Sequence, residues 1–311
     1  MSRVTVYEVG PRDGLQNEAA TVPTAEKLAL LGALAAAGLS RIEASSFVSP
    51  RWIPQLADAG DVVAGLPRHP GTSYVVLVPN GRGLERLLQA LGRAGPGAPR
   101  VDAAVFLSAS ETHNRKNVNR SVAESLAELA VLVPEAIAKG LGVRGYVSTM
   151  WGCPYEGPVR PEQGATVVRR LLELGCHQVS LGDTIGVGTP NQTRRILDLL
   201  LGFARPEQLA LHMHDTRGTA LANVLVGLEA GLSTFDASIG GLGGCPYAPG
   251  ASGNLATEDL VYLLHGMGYE TGVDWPKLIE AGAIAQRVVR RTLPGKALQA
   301  ELATAARAAQ A

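Results

Sequence analysis

Hydrophobic and polar positions along this chain follow two alternating regimes. Short apolar, β-branched runs of strand length recur at 3–9, 41–47, 73–78, 101–107, 143–149, 177–183, 208–214 and 234–239, and each is followed by a longer stretch whose apolar residues take helical spacing. Strands that read as nearly continuous apolar runs between helices mark βα units around a parallel sheet, because such strands are covered on both faces. Eight of these units in roughly 240 residues predict an α/β fold of the closed (β/α)8 TIM-barrel type, with an open doubly wound sheet as the alternative. In the first helix Thr24 is the expected N-cap and Gly38 the stop. The catalytic barrel is assigned to residues 1–273. Residues 274–311 have helical composition without a strong apolar stripe at their Ala-rich end, and form a C-terminal helical extension that serves packing or an interface.

Composition narrows the function classes. Lys plus Arg and Asp plus Glu both number 28 in 311 residues, and the basic residues are scattered, so nothing points to nucleic acid or an acidic membrane surface. A small-molecule substrate is the better expectation. The three cysteines, Cys153, Cys176 and Cys245, are too few and too unevenly spaced for a disulfide framework and fit a reducing, cytoplasmic setting. The first strand follows Met1 almost at once, which predicts no leader, and no uncharged apolar stretch reaches the ~20 residues of a membrane span. Neither a G-x-G-x-x-G after the first strand nor a P-loop occurs, which removes the two commonest nucleotide-binding readings.

The segment with the most chemistry is Leu211-His212-Met213-His214-Asp215. Histidines at i and i+2 of a strand point to the same side, as half of a metal site would require. Other polar residues gather where strands end. Gly10-Pro11-Arg12-Asp13-Gly14 forces a turn that presents a cation and a carboxylate together. Glu43 lies inside an apolar strand, where a carboxylate needs a partner, and is read either as the counter-ion of Arg12 or as support for a metal site. Asp183, at the end of the sixth strand, either orients a catalytic group or caps its loop. Imidazoles joined by oxygen ligands such as Asp13 suit Mg2+ or Mn2+ better than a closed structural zinc. The Gly-rich segment 240–254 can approach a ligand closely or move as a lid. Cys245 near its centre is either a catalytic thiol or inert, and Asn254 by itself reads as a helix N-cap. The polar stretch 108–117 reads as a loop, either facing the substrate or forming a solvated surface turn.

Taken together, Glu8-Val9-Gly10-Pro11-Arg12-Asp13-Gly14-Leu15-Gln16-Asn17, Ser45-Ser46-Phe47-Val48-Ser49-Pro50, Gly152-Cys153-Pro154-Tyr155-Glu156-Gly157, Leu181-Gly182-Asp183-Thr184-Ile185-Gly186 and Gly241-Leu242-Gly243-Gly244-Cys245-Pro246-Tyr247 resemble the hydroxymethylglutaryl-CoA lyase family, over nearly residues 3 to 290. The resemblance implies a metal-dependent carbon–carbon lyase acting on an acyl-CoA substrate. Asp13, His212, His214 and Asn254 become its metal ligands, Arg12 the enolate-stabilising cation, Glu43 its support and Cys245 a proton-transfer group, with Asp183 in the same set. Asp13 or one of the histidines would be the base. Mg2+ or Mn2+ is the implied cofactor, a homodimer the implied assembly, and leucine breakdown with ketone-body formation the implied pathway. Two departures from the family pattern, Arg217 and Thr149-Met150-Trp151, keep open a lyase for a longer or differently branched 3-hydroxyacyl-CoA. A related aldolase or Claisen synthase is the further alternative.

Overall fold

The computed structural model describes residues 3–19, 21–244 and 253–309. Eight parallel strands close into a barrel: β1 (Thr5–Glu8), β2 (Arg41–Ser46), β3 (Ser73–Leu77), β4 (Val101–Ser108), β5 (Val143–Ser148), β6 (Gln178–Asp183), β7 (Leu209–Met213) and β8 (Thr234–Ala237). They pair in chain order, and β1 meets β8 in the register Thr5↔Thr234 to Glu8↔Ala237, which leaves no sheet edge. The strands are those expected from the apolar runs, and the open-sheet alternative falls with the β1–β8 pairing. Helices ring the barrel, beginning with α1 (Thr24–Ala36), α2 (Ala59–Ala64), α3 (Gly81–Arg93), α4 (Glu111–Val118) and α5 (Val122–Ala138). They continue with α6 (Pro161–Glu173), α7 (Pro190–Leu201), α8 (Ala220–Glu229), α9 (Thr257–Gly266), α10 (Trp275–Val289) and α11 (Lys296–Ala308).

The period-2 geometry of a strand divides the residues into two sets. Outward residues such as Val6, Ile42, Val76, Val105 and Leu211 form one continuous core with the helices. The inward set is mixed. Tyr7, Val75, Leu77, Ala104 and Tyr146 make a small apolar layer, while Glu43, Arg144, Ser180 and Asp236 are buried polar groups inside the barrel. The tail packs rather than trailing: Leu278, Ala281 and Leu298 are fully buried in the same core as the barrel strands.

Two local expectations are corrected and a third holds. Thr24 is the first residue of α1 and Pro23 occupies its N-cap; the threonine hydroxyl instead donates to Asp58, which also pairs with buried Lys27. Gly38 does stop the helix, with φ +90° and the carbonyl of Gly272 where a Cβ would stand. The polar stretch 108–117 is not a loop, because Ser110 accepts a hydrogen bond from the His113 N–H at 3.1 Å and so starts α4, which left-handed Asn119 ends.

Two buried carboxyls hold the junction where β1 and β8 finish. Glu8 accepts hydrogen bonds from the N–H groups of Gly10 and Ile239 and from the Thr257 hydroxyl, and Glu258 accepts one from the Gly240 N–H at 2.7 Å. Burial pushes Glu8 up to about 7 and Glu258 up to about 8. Both folded-state values lie above the unfolded one. Their contribution to stability is therefore complete below about pH 4.3 and is lost as pH rises through about 8. Glu258→Gln, which cannot ionise, gains on the wild type by several degrees in Tm between pH 5 and pH 9. Parallel melting curves of the two proteins check this, and curves with a constant offset across that range contradict it.

Candidate metal centre

The site is assembled at the C-terminal ends of the strands from three backbone devices. The first follows β1, where the Val9 carbonyl accepts hydrogen bonds from the N–H groups of Arg12 and Asp13 at 3.1 and 2.7 Å, winding Gly10–Gly14 into one wide turn. Gly14 is required there: a Cβ would lie 2.7 Å from Leu242 Cβ. The second device is β7 itself, whose alternation turns His212 and His214 to the barrel mouth. The third was not foreseen in the sequence. Beyond the Gly-rich segment the chain returns to pair with the end of β7, the Leu255 N–H donating to the Met213 carbonyl and the Asp215 N–H to the Gly253 carbonyl, both at 3.0 Å. This pairing sets Asn254 against His214. Helix α9 is entered through Ala256, so the N-cap reading of Asn254 is corrected.

These devices bring the side chains together. Ligand-type atoms of Asp13, His212 and His214 all lie within 4.8 Å of one another, with His212 Nε2 3.9 Å from Asp13 Oδ2. The Asn254 amide donates to Asp13 Oδ2 at 2.7 Å and to the Leu242 carbonyl. Arg12 stands beside them. Its Nη1 donates to Asp13 Oδ1 at 2.5 Å, while Nε and Nη2 reach Glu43 Oε2 at 2.7 and 2.6 Å. The counter-ion reading of Glu43 is therefore the observed geometry. Tyr146 adds its hydroxyl to the same Glu43 oxygen at 3.3 Å.

Electrostatics favour a cation here. Burial works to raise the Asp13 carboxyl, yet Arg12 and the two imidazoles outweigh it and hold the group well below the usual carboxylate range. Burial, helped by His212, pushes His214 down to about 4, so its ring is neutral at ordinary pH. His214 Nδ1 is a buried nitrogen with no hydrogen-bond partner among the described residues. Two imidazoles, that of His214 with an orphaned buried nitrogen, one ionised carboxylate and a neighbouring amide make a donor set that fits a divalent cation.

The remaining expectations divide. Asp183 stands outside the cluster, its two oxygens accepting the Val187 and Gly188 N–H groups at 3.0 and 2.7 Å, which is the loop-capping role. Arg217 faces away, donating to the carbonyls of Ile185 and Gly186, and Trp151 is buried with its indole N–H on Thr193. Neither lines the cavity, so neither carries an argument for a different acyl group. Cys245 lies outside the described residues. The sequence reading missed Asp236, Arg144, Ser180 and Tyr146. The signal that flagged Glu43, a polar residue at an inward position of an apolar strand, applies equally to Arg144 and Asp236.

Above the cluster opens a cavity of about 420 Å³, floored by Arg12, Asp13, Tyr146, His212 and His214 and rimmed by Trp52, Lys116 and Arg120. Helix α4 supplies His113, Lys116 and Asn117 to its wall, so the stretch 108–117 faces the cavity rather than forming only a solvated surface turn.

Fold and site together define a (β/α)8-barrel enzyme whose mouth joins a possible metal site to an arginine able to stabilise an oxyanion. The HMGL-like family model matches residues 3–284. The mitochondrial hydroxymethylglutaryl-CoA lyase of Rattus norvegicus is 51% identical over 96% of this chain and 89% of its own length. The crystal structure of the Bacillus subtilis HMG-CoA lyase superposes with a TM-score of 0.92 at 48% identity, over 96% of this chain and 98% of that one. That of an Acinetobacter baumannii HMG-CoA lyase in complex with coenzyme A and 3-methylmalate gives 0.88 at 41%, over 96% and 95%. The chain belongs to the hydroxymethylglutaryl-CoA lyase family and is a carbon–carbon lyase.

Proposed function

We propose that this protein cleaves 3-hydroxy-3-methylglutaryl-CoA to acetyl-CoA and acetoacetate, using Asp13, His212, His214 and Asn254 to hold Mg2+ or Mn2+. The observation that carries the reading is the meeting of Arg12 with Asp13, His212 and His214 on one cavity floor. The ion would supply acidification of the substrate's C3 hydroxyl and a fixed point for its carboxylate. The hydroxyl proton passes to the carboxylate or imidazoles gathered there. The C2–C3 bond then breaks, its electrons forming the thioester enolate while C3 becomes the ketone of acetoacetate. Arg12 has five N–H groups and spends three on Glu43 and Asp13, so two remain for the enolate oxygen. Protonation at C2 then yields acetyl-CoA, with Cys245 assigned as the proton donor by resemblance alone. Lys116 and Arg120 at the rim offer cations to the phosphates of coenzyme A. Among the described residues no helix is long and apolar enough to cross a membrane. A cytoplasmic homodimer is the accompanying expectation.

The test is cleavage of hydroxymethylglutaryl-CoA by purified protein with added Mg2+, following acetoacetate beside one longer-branched analogue. Preferred turnover of the first compound is expected. Preference for the analogue, or no cleavage of either, overturns the substrate assignment.

A further inference from the structure

The two histidines of the cluster are held differently, and the difference lies beneath them. His214 Nδ1 has no partner among the described residues, whereas His212 Nδ1 stands 3.2 Å from Asp236 Oδ2. Asp236 is buried on β8 and cannot turn away. Arg144 grips both its oxygens, Nη2 on Oδ1 at 2.6 Å and Nη1 on Oδ2 at 3.0 Å, and the Ser180 hydroxyl donates to Oδ2 at 2.8 Å. Arg144 is itself pinned. Its Nε donates to Gln178 Oε1, its Nη1 to the Tyr146 hydroxyl, and its guanidinium carbon lies 3.8 Å from the centre of the Tyr7 ring.

A carboxylate gripped in this way is ionised, and an ionised carboxylate only accepts hydrogen bonds. The hydrogen between His212 and Asp236 must then sit on Nδ1. Neutral His212 is left with its lone pair on Nε2, the nitrogen that faces Asp13. We propose that Asp236, locked by Arg144 and Ser180, is a positioning residue that fixes the Nδ1–H tautomer and ring orientation of His212 and so sets the protein's affinity for its divalent ion. Arg144 serves the arrangement twice. It holds the carboxylate still, and it offsets the negative charge that Asp236 would otherwise add behind the site.

This inference rests on the metal reading of the site, and the experiment separates the two. In metal-free protein labelled with 15N-histidine, long-range proton–nitrogen correlation reads the tautomer of His212, identified by the signal lost in His212→Asn. The wild type is expected to show Nδ1–H. In Asp236→Asn one side-chain oxygen becomes an N–H2 group and the other a neutral, weaker acceptor, so Nδ1 of His212 faces either an N–H2 donor or an oxygen without the carboxylate's charge. The Nδ1–H form loses its preference, and the Mn2+ dissociation constant measured by titration calorimetry rises about 10- to 100-fold. Ser180→Ala, which keeps the carboxylate, stays much closer to the wild type. A wild-type His212 carrying its proton on Nε2 overturns the proposal without need of any variant, as does a folded Asp236→Asn protein with unchanged Mn2+ affinity. Wild-type protein that binds no Mn2+ overturns the metal reading itself, and this inference with it.

Discussion

Arg12→Met lowers kcat for hydroxymethylglutaryl-CoA cleavage by about 10³-fold, on the scale of losing a preorganised oxyanion donor, with a much smaller change in KM. The reasoning starts from the two N–H groups left over after Glu43 and Asp13 are served. The charge they stabilise is greatest once the C2–C3 bond is breaking, so the loss falls on the rate more than on binding. A complication must be separated. Glu43 is fully buried, and removing Arg12, its ion-pair partner, leaves a poorly compensated carboxylate, a change that costs about 3–5 kcal/mol in comparable buried pairs. Burial already raises the Glu43 carboxyl, so in the variant it takes up a proton and part of that cost is relieved as pH falls. The double variant Arg12→Met/Glu43→Gln is therefore expected to regain most of the lost Tm and none of the lost turnover. Recovery of both together would show that Arg12 acts only through folding.

Removing the metal is the second large effect. Chelator-treated protein is expected to lose turnover to background, and added Mg2+ or Mn2+ to restore it. The same titration has a readout independent of catalysis. An ion that binds only the folded state adds about 2.7 kcal/mol at 100 times its dissociation constant, so Tm rises with metal concentration. His214→Ala deletes one nitrogen of the cluster without opening the Arg12–Glu43 pair, and its Tm should no longer respond to Mn2+ over the range that shifts the wild type. Turnover that survives thorough chelation, or a His214→Ala protein that still responds as the wild type does, would remove these residues from the ligand set.

The barrel was legible because its strands are short apolar runs at regular intervals, and a strand buried on both faces cannot disguise itself as anything polar. Glu43, His212 and His214 were legible for the opposite reason, as polar residues where the pattern called for apolar ones, and Arg12 and Asp13 because Gly10 and Pro11 force a turn that presents them together. Asn254 was not legible from its neighbours. Its place depends on a return of the chain to β7 that no local spacing records, and read locally an asparagine before a helix is a cap. Stretch 108–117 misled because its residues are polar on every side, although the serine that starts α4 and the asparagine that ends it were both in view. Asp236 and Arg144 were overlooked because each alone is one polar residue in an apolar strand. Only the closure of the barrel brings β5 against β8 across its interior, 92 residues apart in sequence.

That buried pair sets the terms on which this chemistry could be moved to another protein. A designer copying Asp13, His212 and His214 onto a different eight-stranded barrel would transfer three ligands and leave behind what aims one of them. The smallest portable unit also includes Asp236, Arg144 and Ser180, with Tyr7 and Gln178 to seat the guanidinium, which draws on β1, β5, β6, β7 and β8 at once. A recipient whose interior is filled with valine and isoleucine has no room for a guanidinium at that level. Suitable hosts are therefore barrels that already carry a charge through their middle.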